Sequence, residues 1–335
     1  MAAISAKDVS ELRKQTGAGM MDCKKALASS EGDYDGALEY LRKKGQKVVA
    51  KRAGKDASEG VVVAMSNDSG DKGILMSVSC ETDFAAKNEM FLASVKEVSD
   101  LAMAQQPATV EDLLALKIGE ETVDEKLKGM TAITGEKVEI SNYHVVSGEN
   151  ISSYVHAGSK IGVIVSYKDG GKGEEAAKFF RNVAMHIAAM NPSIMTPDEF
   201  DAELVAKETE ALIAQITAEN EAIAEENPTL PKENRKPLKN VPQYCSKLQL
   251  TPEVMAAAED AIKAELKAEG KPEKIWDKIV PGKLERFVAD NTLLDQERCL
   301  LSQFFALDDT KTVAQAVADF ADGAELVEFK RAAVG

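Results

Sequence analysis

Cysteine is scarce in this chain: four in 335 residues, at positions 23, 80, 245 and 299, with no Cys-x-x-Cys pair. No histidine stands at metal-ligand spacing from any of them. The pattern excludes a disulfide scaffold and a structural zinc site, and it fits a reducing compartment. Basic charge is also short. Against 56 Asp and Glu stand only 41 Lys and Arg, a formal net charge of −15, which removes the electrostatic footprint of a phosphate-backbone binder. One local basic run, Lys43-Lys44, Lys47 and Lys51-Arg52, has no aromatic residue interleaved and reads as a solvated linker, not as a nucleic-acid contact. No apolar run is long enough to span a bilayer and nothing ahead of the first helix reads as a signal peptide, so a soluble, cytoplasmic protein is expected. A nucleotide-binding loop is missing as well. Gly54-Lys55, Gly171-Lys172, Gly270-Lys271 and Gly282-Lys283 all lack the upstream Gly and the following Ser or Thr of a P-loop. No cofactor is implied.

What is present begins with Ser79-Cys80-Glu81-Thr82-Asp83-Phe84. This run closes an apolar β-type stretch, Gly73 to Val78, and precedes a helical pattern from Asn88 to Met103. Asp83 and Phe84 therefore fall at a strand-to-helix turn, where an acid and a ring can both project outward. The ring suits an apolar pocket on another protein, and the acid can disturb charges beside it. The plainer alternative is a Thr-Asp helix cap with an inward Phe.

Near the N-terminus, Ser5 and Asp8 have the spacing of a capping box that opens a first helix. Thr16-Gly17-Ala18-Gly19 stops it, Met21 to Ser29 reads as a second helix, and Tyr34 to Lys44 as a third, closed by Gly45. Three short helices with a Gly-rich first loop resemble a ubiquitin-associated-type bundle. Met20 and Met21 follow that loop, where they either fill a small core or meet a partner.

Two boxes, Leu12–Leu27 and Val78–Asn88, with a third match at Val183-Ala184-Met185-His186-Ile187-Ala188-Ala189, closely resemble the elongation factor Ts family. The resemblance runs in order from Ile4 to Lys330, broken by one large insertion. It implies a guanine-nucleotide exchange factor that binds the GTPase domain of GDP-bound elongation factor Tu and promotes GDP release without covalent chemistry. It further implies that Phe84 enters an apolar pocket of that domain, with Thr82 and Asp83 beside it. Asp83 would disturb the magnesium shell, and His186 would press near the phosphate-binding loop. Arg13, Met20 and Met21 would touch the nucleotide domain, no nucleic acid would be contacted directly, and a homodimer within the complex is left open. Burying one Phe supplies only about 1.5–3 kcal/mol, so several contacts must act together. On pattern alone His186, within an apolar helix, reads as structural, as do His144 and His156 on β-type runs. Two departures stand out: Ala85 follows Phe84 where a bulkier apolar residue is frequent, and the C-terminal helix of some members does not follow the last strand.

The fold class expected is α+β. A helical domain at 1–45 and a basic linker at 46–57 precede a first core subdomain at 58–135. A second subdomain comprises 136–195 and 291–335, and a coiled-coil insertion at 196–290 has a Pro-rich tip at 227–250. Val61–Ala64 and Ile74–Val78, then Ile151–His156 and Ile161–Tyr167, are β-type pairs each followed by an apolar helix, which suggests two related subdomains. Glu136–Val146 reads as the strand that opens the second subdomain, and Ala324–Arg331 as a late strand returning to it. Thr196-Pro197-Asp198-Glu199 reads as the start of the inserted helices, and Thr251-Pro252-Glu253 as a second start. The tip, with Pro228, Pro231, Pro237 and Pro242, reads as an irregular solvated connection or as an added contact surface. Two other function classes compete: an adaptor that holds a partner through the bundle, and a thiol enzyme built on Cys23 or Cys80.

Overall fold

The computed structural model describes residues 4–335 and divides into two compact units, the first running to Ala188 and including Gly323–Gly335, the second Ala189–Asp322. In the first unit, α1 (Ala6–Thr16) starts at Ser5, which forms the capping box with Asp8, and ends at Gly17 in the left-handed region (φ 67°). Helices α2 (Met20–Ser29) and α3 (Tyr34–Arg52) follow, and Leu12, Cys23, Ala26, Leu27 and Ala37 form the core of the three. The third helix does not stop at Gly45. It continues to Arg52, so most of the expected linker is helix, because Gly45 is a contact and not a terminator: a Cβ there would lie 2.9 Å from the Cβ of Ala132.

Next come β1 (Glu59–Ser66), β2 (Lys72–Cys80), the single turn α4 (Asp83–Ala86) and α5 (Glu89–Gln105). Helix α6 (Val110–Ala115), a minimal hairpin β3 (Lys117–Ile118) and β4 (Glu121–Thr122), and α7 (Val123–Thr134) complete this stretch. Strand β5 (Glu139–Ser147) pairs antiparallel with β2, giving the order β1-β2-β5. The strand expected to open a second subdomain therefore finishes the first sheet. Its own residues carry alternation but no address; it is placed by β2, which is buried from Gly73 to Cys80 and needs a neighbour on both edges. A second sheet has the order β10-β7-β6, built from β6 (Asn150–Val155), β7 (Ile161–Asp169) and the late strand β10 (Ala324–Ala333).

The two sheets lie back to back. Ile74, Met76, Val78 and Cys80 of β2 point to one side, against Phe91, Val95 and Val98 of α5 and Leu127 and Met130 of α7. Leu75 points to the other side, where Val62, Ile151, Ile164 and Ala332 meet it. Period-two alternation along one strand thus feeds two different cores. Glycines permit the approach: a Cβ on Gly162 would lie 2.6 Å from Val62 Cγ1 and 3.1 Å from Leu75 Cδ1. On the outer face of the second sheet, Tyr167 stacks on Phe180 of α8 (Glu174–Met190) at 4.1 Å between ring centroids.

The second unit is mainly helical. The Thr196–Glu199 signal does form a capping box, but it makes only one 3₁₀ turn; the buried Phe200 is extended, and α9 (Ala202–Glu226) starts from Asp201. The later signal holds: Thr251 caps α10 (Pro252–Ala268), which packs along α11 (Trp276–Asp290). Helix α12 (Leu293–Arg298), the short pair β8 (Phe304–Phe305) and β9 (Asp308–Thr312), and α13 (Val313–Phe320) close the unit. Leu294 and Cys299 pack with Phe200, Val205 and Cys245, so the stretch expected to rejoin the sheets at 291 does so only from Gly323.

The tip carries no regular helix or strand beyond short 3₁₀ turns, yet it is tied down. Asn220 Nδ2 donates to Lys239 O and Asn220 Oδ1 accepts from Lys239 N, at 2.8 and 2.7 Å. Asn227 repeats the exchange with Lys236 at 2.8 Å in both directions. Seven residues of helix rise about 10.5 Å and three extended residues about 10 Å, so the two spacings match and the return chain lies along α9.

Candidate partner-binding site

Strand β2 delivers the second box to the surface. Thr82, in extended conformation, caps α4 by accepting from Ala85 N at 3.3 Å, and Ala86 N donates to Thr82 O at 3.2 Å. Ala85 and Ala86 are 7% and 5% exposed and belong to the core beneath the first sheet. Phe84, between them and the cap, is 82% exposed, more than any other large apolar side chain among the described residues. A single helical turn thus turns two alanines inward and one phenylalanine outward, which answers the inward-Phe alternative. The small Ala85 fits because that position is covered.

Asp83 is not a free carboxylate. Lys87, one helical turn on, donates to Asp83 Oδ2 at 2.7 Å and holds the acid below its ordinary range, while the lysine is raised in return. Behind the turn, Cys80 Sγ donates to Thr82 O at 3.2 Å, and burial, followed by the nearby Glu136 charge, pushes that thiol up to about 11.

The first box lies on the same unit. Met20 and Met21 are 58% and 63% exposed at the start of α2, while Cys23, Ala26 and Leu27 of that helix fill the bundle; Arg13 is exposed on α1. The soft side chains face outward, which removes the core-filling alternative. The Gly17 loop meets α5: a Cβ on Gly17 would lie 2.8 Å from Met90 Cε and 3.0 Å from Ile133 Cδ1. The loop before Met20 is thereby set against a residue six positions after Phe84. His186 is different. It is 1% exposed on the buried face of α8, so the structure does not bring its imidazole to the surface; Met185 beside it is 40% exposed.

Three residues hold the turn through long-range pairings that the local sequence does not show. Glu136 accepts from Thr82 N and Thr82 Oγ1, Glu81 accepts from Lys137 N, and Arg52 Nη1 donates to Glu81 at 3.0 Å. Lys87 was open to reading, since it stands four residues after Asp83 on a helical pattern. Among the described residues no group of His, Cys, Asp and Glu could hold a metal ion, and no helix is long and apolar enough to cross a membrane.

The family model for elongation factor TS matches residues 81–228 and 239–335. The chain belongs to the elongation factor Ts family. Elongation factor Ts of Rhodopirellula baltica is 64% identical over 334 residues, covering 100% of both chains. That of Flavobacterium johnsoniae is 44% identical over 335 residues, again covering 100% of both. That of a Sulfurovum species is 44% identical over 344 aligned positions, covering 100% of this chain and 95% of the relative. Both Phe84 and His186 lie within the matched residues, whereas Arg13, Met20 and Met21 precede them and are covered by the full-length relatives.

Proposed function

We propose that this family member is a nucleotide exchange factor that binds GDP-bound elongation factor Tu and releases its GDP by inserting Phe84 into the GTPase domain. The observation that carries this reading is an 82% exposed phenyl ring on a helical turn whose neighbours are anchored in the core. A large apolar group held in water by a rigid base is a binding anchor waiting for its pocket. Asp83 sits beside it and, by exchanging Lys87 for partner charges, can disturb the shell of the magnesium ion that elongation factor Tu holds. Arg13, Met20 and Met21 supply a second contact with the same partner domain. His186 enters this reading only if α8 moves on binding, since its ring is buried in the free chain.

No covalent step is required. The phosphates of a bound nucleotide are held chiefly by metal and backbone amides, so disturbing those is sufficient. Linkage then makes the effect reciprocal: the factor weakens nucleotide binding by the same factor that nucleotide weakens its own. Thiol chemistry gains no support, because Cys23 and Cys80 are both buried. The test is release of a fluorescent GDP analogue from purified elongation factor Tu. Acceleration by catalytic amounts of this protein supports the reading; a stable complex without acceleration refutes exchange and leaves an adaptor.

A further inference from the structure

Strand β5 pairs with β2 up to Ser79↔Glu139. Extended by the same register, Glu81 would face Lys137 and Thr82 would face Glu136. At those positions the bonds are made by side chains instead of by the backbone ladder. Glu81 Oε1 accepts from Lys137 N at 2.7 Å, and Glu136 Oε2 accepts from Thr82 N at 3.0 Å. Opposite pairs in an antiparallel ladder alternate between backbone-bonded and non-bonded, so one of these acids takes the place of a partner carbonyl and the other ties a pair that the ladder would leave unbonded. Glu136 Oε1 also accepts from Thr82 Oγ1 at 2.8 Å, so one carboxylate grips both donors of a single residue.

The use of carboxylates here has a mechanical result. A carboxylate stands on a side chain, clear of its own backbone, so the two segments can diverge and stay tied. The chain leaves the sheet at Thr82 and enters α4 while still held by charge-assisted bonds. Thr82 is then engaged at every polar atom, because its carbonyl accepts from Cys80 Sγ and Ala86 N and its hydroxyl accepts from Ala85 N. Both grips are themselves fixed. Thr134 Oγ1 lies 3.2 Å from Glu136 N and 3.3 Å from Glu136 O, tying that residue to the last turn of α7. Glu81, with a side chain only 15% exposed, is paired on its other oxygen with Arg52 at the end of α3.

We infer that Glu136 is a positioning residue for exchange, which aims the Phe84 ring without touching the partner. The inference rests on the exchange reading above. Phe84 has little cover of its own, so its direction is that of α4, and the direction of α4 is set at Thr82. Holding an anchor in its bound orientation reduces the ordering that binding must impose.

The test uses the full chain with Glu136→Ala, Glu136→Gln, Phe84→Ala and the Glu136→Ala/Phe84→Ala double variant. Amide hydrogen exchange is read over residues 82–88 and over the β2 residues 73–79. Release of a fluorescent GDP analogue from elongation factor Tu is read in parallel. Glu136→Ala is expected to speed amide exchange at 82–88 by about tenfold or more, with β2 unchanged. It is expected to slow nucleotide release about tenfold, but to add no more than about twofold when Phe84 is already Ala, the non-additivity of residues acting as one device. Glu136→Gln, which keeps one acceptor, should fall between. The proposal is overturned if exchange at 82–88 does not change. It is equally overturned if Glu136→Ala slows release as much without the ring as with it, or if β2 loosens along with the turn, since each marks a general structural effect. If Glu136→Ala is indifferent while Phe84→Ala cripples release, the positioning role alone is refuted. If Phe84→Ala is itself indifferent, the wedge reading falls and takes the positioning role with it.

Discussion

Phe84→Ala removes a ring that is 82% exposed and leaves the buried Ala85 and Ala86 in place. Its effect on the free protein follows from that exposure: a surface change away from core contacts shifts stability by no more than about 0.5 kcal/mol. Its effect on the complex is larger. Full burial of a Phe side chain supplies about 1.5–3 kcal/mol; scaled by the 82% still exposed, roughly 1.2–2.5 kcal/mol is left for the partner to gain. At about 1.4 kcal/mol per decade, the variant should slow stimulated release roughly seven- to sixtyfold. The assay is stopped-flow release of a fluorescent GDP analogue from elongation factor Tu at several factor concentrations, beside a thermal melt of the free variant. A slower maximal rate with an unchanged melt is expected. Release as fast as wild type, with the variant folded, refutes the wedge. A slowing matched by a large drop in melting temperature also refutes the reasoning, because the ring would then belong to the fold.

Three further outcomes test the rest of the structure. Gly162→Ala places a Cβ 2.6 Å from Val62 Cγ1, where the two sheets meet, and should cost about 1–3 kcal/mol in urea unfolding; an unshifted midpoint would deny that packing. Asn220→Ala with Asn227→Ala unties the tip from α9, so trypsin should cut after Arg235 and Lys239 several-fold faster, roughly as expected for lost exposed hydrogen bonds, with helical content unchanged. Burial raises the Asp295 carboxyl above its ordinary 3.8, although Lys247 N donates to it at 2.7 Å. The folded state therefore holds that proton more tightly than the unfolded state, and the stabilisation is complete below 3.8 and lost as pH rises through the raised value. Asp295→Asn stays neutral throughout, so its stability relative to wild type should climb across that window and then level off. A difference that is flat with pH would show that the acid carries no burial penalty.

Local chemistry made much of the fold readable. The capping boxes at Ser5 and at Thr196, the Thr251 cap and the β-type runs all produce the hydrogen bonds or ladders their residues suggest. These signals involve partners within a few positions, where backbone geometry alone brings them together. The misread boundaries share a different cause. Gly45 lies inside α3 because Ala132, far along the chain, needs the space, and Thr196 opens only one turn because Phe200 is drawn into the core of the second unit. Strand β5 was legible as a strand but not as the partner of β2, since alternation shows a face and not a neighbour.

At the site the division is the same. Strand, turn, acid and ring follow one another in six residues, and the family to which they belong is written in those residues and in the loop at Gly17–Gly19. Whether Met20 and Met21 face water, whether His186 is reachable, and what holds Thr82 depend on groups brought together by packing. The two bonds from Glu136 to Thr82 span 54 positions. The sequence by itself determined the local turns, the alternating faces and the motif that names the family, because these are set by backbone geometry and near neighbours. Only the tertiary structure decided which side chains stay exposed and which acids close the turn, because burial and long-range hydrogen bonds exist only once distant segments have packed.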